Sequence, residues 1–258
     1  MKVAICYSGQ IGGLKKAISN QRRSFLEDSF DVYAHTSTLV SHKSLKQPHI
    51  TPISPVYEYL KGGKGWRKNL PSYGIIYKIS YEKVQEFLNL IKPSKYFIEN
   101  ESLEESIEDI NLTKWDWLKK RQLRKMHECN KMINGNYDIV IRTRYEFSPY
   151  IGVDVREIYE KHGDDNKIFV FGGWQCVPPM VFMDPFFCDG FAFGSPKVMN
   201  IFTSLYLNED PYPFDPKYKD CWDKYGDNVE YQLKKHLEKH NIELIYIGNE
   251  RSMYHLER

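Results

Sequence analysis

Arg142-Thr143-Arg144-Tyr145-Glu146 is the segment of this 258-residue chain best suited to chemistry. It follows Tyr137-Asp-Ile-Val-Ile, an apolar, β-branched run that reads as a buried strand. Side chains alternate along a strand, so the two arginines share one face near its carboxyl end. Buried strands seldom carry two guanidinium groups without partners. An arginine fork matches phosphate oxygens well. Glu146 beside them can hold a divalent cation or pair with an arginine. The alternative is an internal salt-bridge network.

The same rule applies elsewhere, because open α/β sheets bind ligands beyond the carboxyl ends of their strands. Ser8, Gly9 and Gln10 follow the first strand, with Gly12 and Gly13 before a helix. Such glycines let a backbone approach a ligand, and free N–H groups at a helix start favour an anion such as a diphosphate. The segment is neither GxGxxG nor a Walker loop, and a plain tight turn is the alternative. His35 and Thr36 follow the second strand, where contact with a base or ribose suits them better than proton transfer. Asp189 opens Asp189-Gly-Phe-Ala-Phe-Gly194 and can serve as a general base or bind a sugar hydroxyl; a turn-forming Asp before Gly is the alternative. Glu230 is the second candidate base, against a plain first-turn acid of a helix.

The elements that must position these residues read as follows. Residues 2–7 form a strand, Leu14 to Asp28 a helix, and Asp31 to His35 a strand, a β-loop-α-β opening. Residues 36–73 hold no period and are rich in Ser, Lys, Pro, His and Gly. They predict a long basic loop at the site's edge, with Lys61 to Lys68 as a mobile lid. A strand over 74–79, a helix over 81–91, a strand over 96–99 and a long helix over 115–134 come next. Lys119, Lys120, Arg121, Arg124 and Lys125 supply that helix with a basic surface. Strands follow at 137–144, 167–171, 189–194 and 242–247, with helices at 196–206 and 228–240. The result is one α/β domain with a mostly parallel central sheet, flanking helices and long active-site loops.

Composition narrows the function. Basic and acidic side chains number 36 and 34, for a net charge of +2, which argues against a nucleic-acid binder. No apolar run reaches the roughly 20 residues of a membrane span, and the opening Met1 to Tyr7 is too short an apolar stretch for a signal h-region. Five widely spaced cysteines without a CxxC pair suit reduced thiols and a cytoplasmic protein. Aromatic residues make up 15% of the chain. Trp66, Trp174, Phe186, Phe187 and Trp222 fall in loops, where they serve either as packing or as platforms for sugar rings.

The order of these motifs resembles small glycosyltransferases of bacterial polysaccharide and viral glycan gene sets. The matching segments are Ser8-Gly9-Gln10, Phe30-Asp-Val-Tyr-Ala-His-Thr36, Tyr137 to Glu146, Asp189-Gly-Phe-Ala-Phe-Gly-Ser195 with Met199, and Glu230-Tyr-Gln-Leu-Lys-Lys-His-Leu237. The resemblance implies a Rossmann-like, GT-A-type domain, with a nucleotide-binding half over about 1–146 and an acceptor-side half over about 147–258. It implies transfer of a sugar from a UDP- or GDP-sugar donor to a glycan acceptor, in the host cytoplasm if the source is a virus. Ser8, Gly9, Gln10, His35, Thr36, Arg142 and Arg144 would hold the donor. Asp189 and Glu230 would serve catalysis. The family's acidic motif holds Mn²⁺ or Mg²⁺. Its match here, Arg144-Tyr-Glu146, has Glu for the usual Asp and no second acid, so arginines are the other means of neutralising the diphosphate. Rival readings are a carbohydrate-binding protein without catalysis and another nucleotide-binding transferase. The latter usually needs clustered carboxylates.

Overall fold

The computed structural model describes residues 1–11, 14–41, 54–58, 75–100, 117–149, 151–172, 187–213, 229–248 and 254–256. In chain order the elements are β1 (Val3–Ser8), α1 (Leu14–Ser24), β2 (Asp31–Ser37), β3 (Leu39–Ser41), β4 (Ser54–Glu58), β5 (Ile75–Lys78), α2 (Tyr81–Leu88) and β6 (Lys95–Glu99). They continue with α3 (Trp117–Lys131), β7 (Ile139–Thr143), β8 (Phe147–Pro149), α4 (Val155–His162), β9 (Lys167–Gly172), β10 (Phe187–Gly194), α5 (Pro196–Thr203), α6 (Val229–Lys239), β11 (Glu243–Gly248) and β12 (Tyr254–Leu256).

Seven strands form the central sheet in the order β11-β9-β10-β7-β1-β2-β6. β1 pairs in parallel with β2 and β7, and β2 with β6. β10 alone runs against both of its neighbours, β7 and β9. The carboxyl ends of β1, β2, β6 and β7 therefore share one edge, and the amino end of β10 joins them there.

Strand alternation divides the core between the two faces. Val3, Ile5 and Tyr7 of β1, Ile139 and Ile141 of β7, and Phe169, Phe171, Phe191 and Phe193 pack on the side of α1, α2 and α4. Ala4 and Cys6, Val140, Ile168, Val170 and Ala192 pack on the side of α3, α5 and α6. Both strand faces are covered, which is why Val3 to Tyr7 of β1 and Ile139 to Ile141 of β7 read as apolar runs. Much of the aromatic content is core. The Phe169 and Phe193 rings stack with centroids 4.8 Å apart, and Phe147 stacks on Phe191 at 5.4 Å.

Several expectations are corrected. The stretch after β2 is not wholly loop: β3 and β4 pair antiparallel with β5 in a small second sheet. α1 stops at Ser24 rather than Asp28, because the Phe25 and Leu26 amides turn back onto the Gln21 carbonyl. α4, β8 and β12 arise where no element is expected. α4 is capped by Asp154, whose carboxylate accepts from the Arg156 and Glu157 amides. Gly12, Gly13, the 61–68 segment, Trp66, Trp174, Phe186 and Trp222 lie outside the described residues, as does the side chain of Phe187. No described helix is long and apolar enough to cross a membrane.

Candidate functional site

The turn after β1 is tied to the end of β2. Gly9 N–H donates to the His35 carbonyl at 3.3 Å, and the Thr36 hydroxyl donates to the Gly9 carbonyl at 2.9 Å. Gly9 has a φ of +121°, in the region that favours glycine. A side chain there would meet no neighbouring atom, so the requirement is one of backbone conformation. Ser8 is buried, and its hydroxyl has no hydrogen-bond partner among the described residues. Gln10 follows, half-buried.

His35 lies in register with Ser8. Its Nε2 faces Glu99 Oε1 at 2.9 Å. A carboxylate only accepts, so Nε2 carries the hydrogen there. Its Nδ1 is buried without a hydrogen-bond partner among the described residues. Glu99, the last residue of β6, also receives Arg124 Nη2 at 3.0 Å and the Lys125 ammonium. Burial alone would push the Glu99 carboxyl up; the His35 hydrogen bond and the Lys125 charge together hold it well below the usual carboxylate range. Burial pulls Lys125 down to about 7, with repulsion from Arg121 adding to it and Glu99 opposing it.

Expected to carry a basic surface, α3 turns part of it inward and anchors the site. Lys125 is buried. Lys120 donates to the Tyr206 and Asn208 carbonyls at 3.0 and 3.1 Å, and Arg124 reaches Glu99.

Arg142 is 1% exposed. It sits in register between Cys6 of β1 and Ala192 of β10, close enough for its charge to oppose the rise that burial imposes on the Cys129 thiol. It therefore lies beneath α3 rather than at the open edge. Arg144, beyond the strand end, bridges two carboxylates. Its Nη2 pairs with Glu146 Oε1, and its Nη1 lies 3.3 Å from Asp189 Oδ1 and 3.4 Å from Oδ2. The Gln122 amide of α3 donates to Asp189 Oδ2.

The turn carrying Arg144 and Glu146 is held from behind by Gln21 of α1. Its buried amide donates to the Tyr145 and Phe147 carbonyls at 3.2 and 2.7 Å, while its oxygen accepts from the Tyr7 hydroxyl at 2.8 Å. Every polar atom used there is paired, which is the condition for burying an amide at little cost.

The structure thus gathers Ser8, Gly9, Gln10, His35, Thr36, Arg144, Glu146 and Asp189 at one sheet edge. Glu230 lies in the first turn of α6. That helix packs on α5, β10 and β11 and turns directly into the start of β11, so its own start faces the carboxyl edge. Glu99 and Gln122 are not among the residues the sequence singles out, and Arg124 and Lys125 enter there only as part of a basic surface. Glu99 was within reach of sequence reasoning, since Glu99 ends a strand at the same edge as His35.

For a divalent cation, the described residues offer no group of three His, Cys, Asp or Glu side chains. Glu146 Oε2 has no hydrogen-bond partner among the described residues, but Oε1 is already paired with Arg144. These residues alone do not make a metal site.

No protein-family model matches the sequence, and no curated protein sequence does. Among solved structures, the chain is similar to the apo-form glycosyltransferase GlyE of Streptococcus pneumoniae TIGR4, with a TM-score of 0.40 and 10% identity. The match covers 95% of this chain and 45% of that one, so the chain spans less than half of that structure's length.

Proposed function

We propose that the chain is a glycosyltransferase that moves a sugar from a UDP- or GDP-sugar to a glycan acceptor. The observation that carries this reading is the convergence of Ser8 to Gln10, His35-Thr36, Arg144, Glu146 and Asp189 on the carboxyl edge of a parallel sheet. That edge is where α/β sheets bind their ligands, and the ordered motifs resemble those of small glycosyltransferases. In this reading, the half over about 1–146 binds the nucleotide. Ser8, Gly9, Gln10, His35 and Thr36 hold nucleoside and ribose. Arg144 turns toward the diphosphate, with Arg142 adding charge from beneath. Cations aimed at a leaving diphosphate favour the transition state, where its charge develops. Asp189 contacts sugar hydroxyls and is the first-choice base, with Glu230 second. A Mn²⁺ or Mg²⁺ ion on Glu146 would supply further charge neutralisation.

The test is thermal unfolding of the protein with UDP, GDP, UDP-sugars and GDP-sugars, each with Mn²⁺ and with EDTA. A ligand at about 100 Kd raises native-state stability by roughly 2.7 kcal/mol. A shift confined to one nucleotide family supports the reading and names the donor. Loss of that shift in EDTA assigns a metal to the donor site; its persistence leaves neutralisation to the arginines. No shift with any nucleotide rejects the reading in favour of a sugar-binding protein.

A further inference from the structure

Asp189 is held by more than its own strand. It lies near the start of β10, which runs against β7, and the Gly190 carbonyl next to it accepts from the Arg144 amide at 2.9 Å. The Arg144 guanidinium spans both carboxylate oxygens at 3.3 and 3.4 Å. The amide of Gln122 takes Oδ2 from the other side. A free Asp carboxylate rotates broadly about its last bond; this one is held by Arg144 from the turn after β7 and by Gln122 from α3.

The element supplying the second donor is itself rigid. α3 is pinned to β6 through Arg124, Lys125 and Glu99. It is pinned to the 206–208 backbone through Lys120, and to the sheet through buried Leu123, Met126 and Cys129. Sites supported from packed helices and strands hold their geometry better than sites on loops. Gln122 also orients Asp189 without adding charge.

We infer, resting on the transferase reading above, that Gln122 is a positioning residue. It sets the Asp189 carboxylate in the one orientation that reads the hydroxyls of the donor's sugar ring, and it takes no part in holding the nucleoside diphosphate. Sugars that differ only in the direction of a hydroxyl demand such an acceptor, because discrimination by hydrogen bonds fails when the acceptor can turn.

The experiment is calorimetric titration of wild type, Gln122→Met and Gln122→Asn with UDP, GDP, UDP-glucose, UDP-galactose and GDP-mannose. Met keeps the length and loses the donor. Asn keeps the donor and falls short, and it carries the test if the Met variant does not fold. The expected result is unchanged affinity for the nucleoside diphosphate and a loss of about tenfold in the extra affinity due to the sugar, the size of one hydrogen bond to a charged group. The preference between UDP-glucose and UDP-galactose should narrow with it if the donor is a UDP-sugar. An equal loss for diphosphate and nucleotide sugar overturns the positioning role, since it shows general disruption. Unchanged affinity for all ligands overturns it as well. If wild type binds none of the five, the transferase reading itself fails, and this inference fails with it.

Discussion

Two charged clusters share the carboxyl edge, and their stoichiometry is inverted. At β2 and β6 one carboxylate, Glu99, is met by three nitrogen groups, from His35, Arg124 and Lys125. At β7 and β10 one guanidinium, Arg144, is met by two carboxylates, Glu146 and Asp189. The carboxylates are buried in both, and each cluster has a partly exposed guanidinium, Arg124 at 29% and Arg144 at 20%, whereas Lys125 and His35 are buried at 5% and 2%. α3 supplies Arg124 and Lys125 to the first cluster and Gln122 to the second. The first buries Lys125 and His35 outright, which suits a joint that fixes a helix; in the second the cation itself is the group that reaches solvent. The two differ in the sign of their excess, nitrogen groups around Glu99 and carboxylates around Arg144.

The largest effect expected from that difference is on stability. Glu99→Ala leaves a buried ammonium and a buried imidazole without their shared acceptor. Removing one partner of a buried ion pair costs about 3–5 kcal/mol, measured as a drop in urea unfolding free energy. Asp189→Ala should cost only about 1–2 kcal/mol, because Arg144 keeps Glu146 and has access to solvent. Equal losses from the two variants would erase the contrast between the clusters.

Activity should sort the other way. Asp189→Asn is expected to lower sugar transfer by at least roughly a hundredfold while melting close to wild type. Thr36→Val should have a smaller effect. It removes the bond that ties the Gly9 carbonyl to β2, worth about 1 kcal/mol, and should weaken binding of the nucleoside diphosphate about fivefold. Full transfer by Asp189→Asn would remove Asp189 from the chemistry. Unaltered nucleotide affinity in Thr36→Val would separate the β1 turn from the donor site.

How legible these features were in the sequence depended on range. β1 and β7 were plain because both of their faces are buried, so every residue from Val3 to Tyr7 and from Ile139 to Ile141 is apolar. The strand-end rule then found Ser8 and Arg144 from local position alone, and His35 although β2 runs two residues further, to Ser37. The pairing of Arg144 with Asp189 spans 45 residues, and no local pattern encodes it. Lys125 was misread for a physical reason. A run of Lys and Arg on a helix reads as a solvated face, and only the position of Glu99 across the fold makes burial tolerable. α4 left a visible cap at Asp154, but its 8 residues give too short a period to stand out from a loop.

Lys125 sharpens the contrast through pH. Its folded value is about 7 against an ordinary 10.5, so between those limits the unfolded chain binds the extra proton. Stability therefore rises with pH from about 7 toward 10.5, and the penalty for burying the charged amine is complete below 7. Lys125→Met removes that rise. It should change stability near neutrality by no more than about 1 kcal/mol, because His35 and Arg124 still meet Glu99 and a well-packed apolar chain replaces a buried ion at little cost. Urea unfolding at pH 7, 8 and 9 checks both points; an alkaline rise that persists in the variant would assign it to another group.

The smallest effect concerns a buried histidine outside both clusters, and it shows what the clusters would be without charge. His236 of α6 is met by uncharged groups: its Nε2 lies 3.0 Å from both the Ser204 hydroxyl and the Ile201 carbonyl, and its Nδ1 lies 2.8 Å from the Tyr212 hydroxyl. The carbonyl can only accept, so Nε2 donates and Nδ1 accepts from Tyr212. Burial first, and then the neighbouring His240 and Lys239, pull its proton affinity down to about 4 from an ordinary 6.5. The unfolded chain thus binds the extra proton between those values. The contribution is complete above about 6.5 and is lost as pH falls toward 4. His236→Gln, which keeps an amide donor, should flatten the acid limb between pH 6.5 and 4 relative to wild type, read from melting temperatures across that range. Glu99, whose carboxyl is held down in the fold, costs stability only as pH falls below about 5, so Glu99→Gln should leave the limb's slope between pH 6.5 and 5 unchanged even as it lowers the whole curve. If Glu99→Gln flattened the limb and His236→Gln did not, acid sensitivity would belong to the ionic joint under α3 rather than to the neutral histidine.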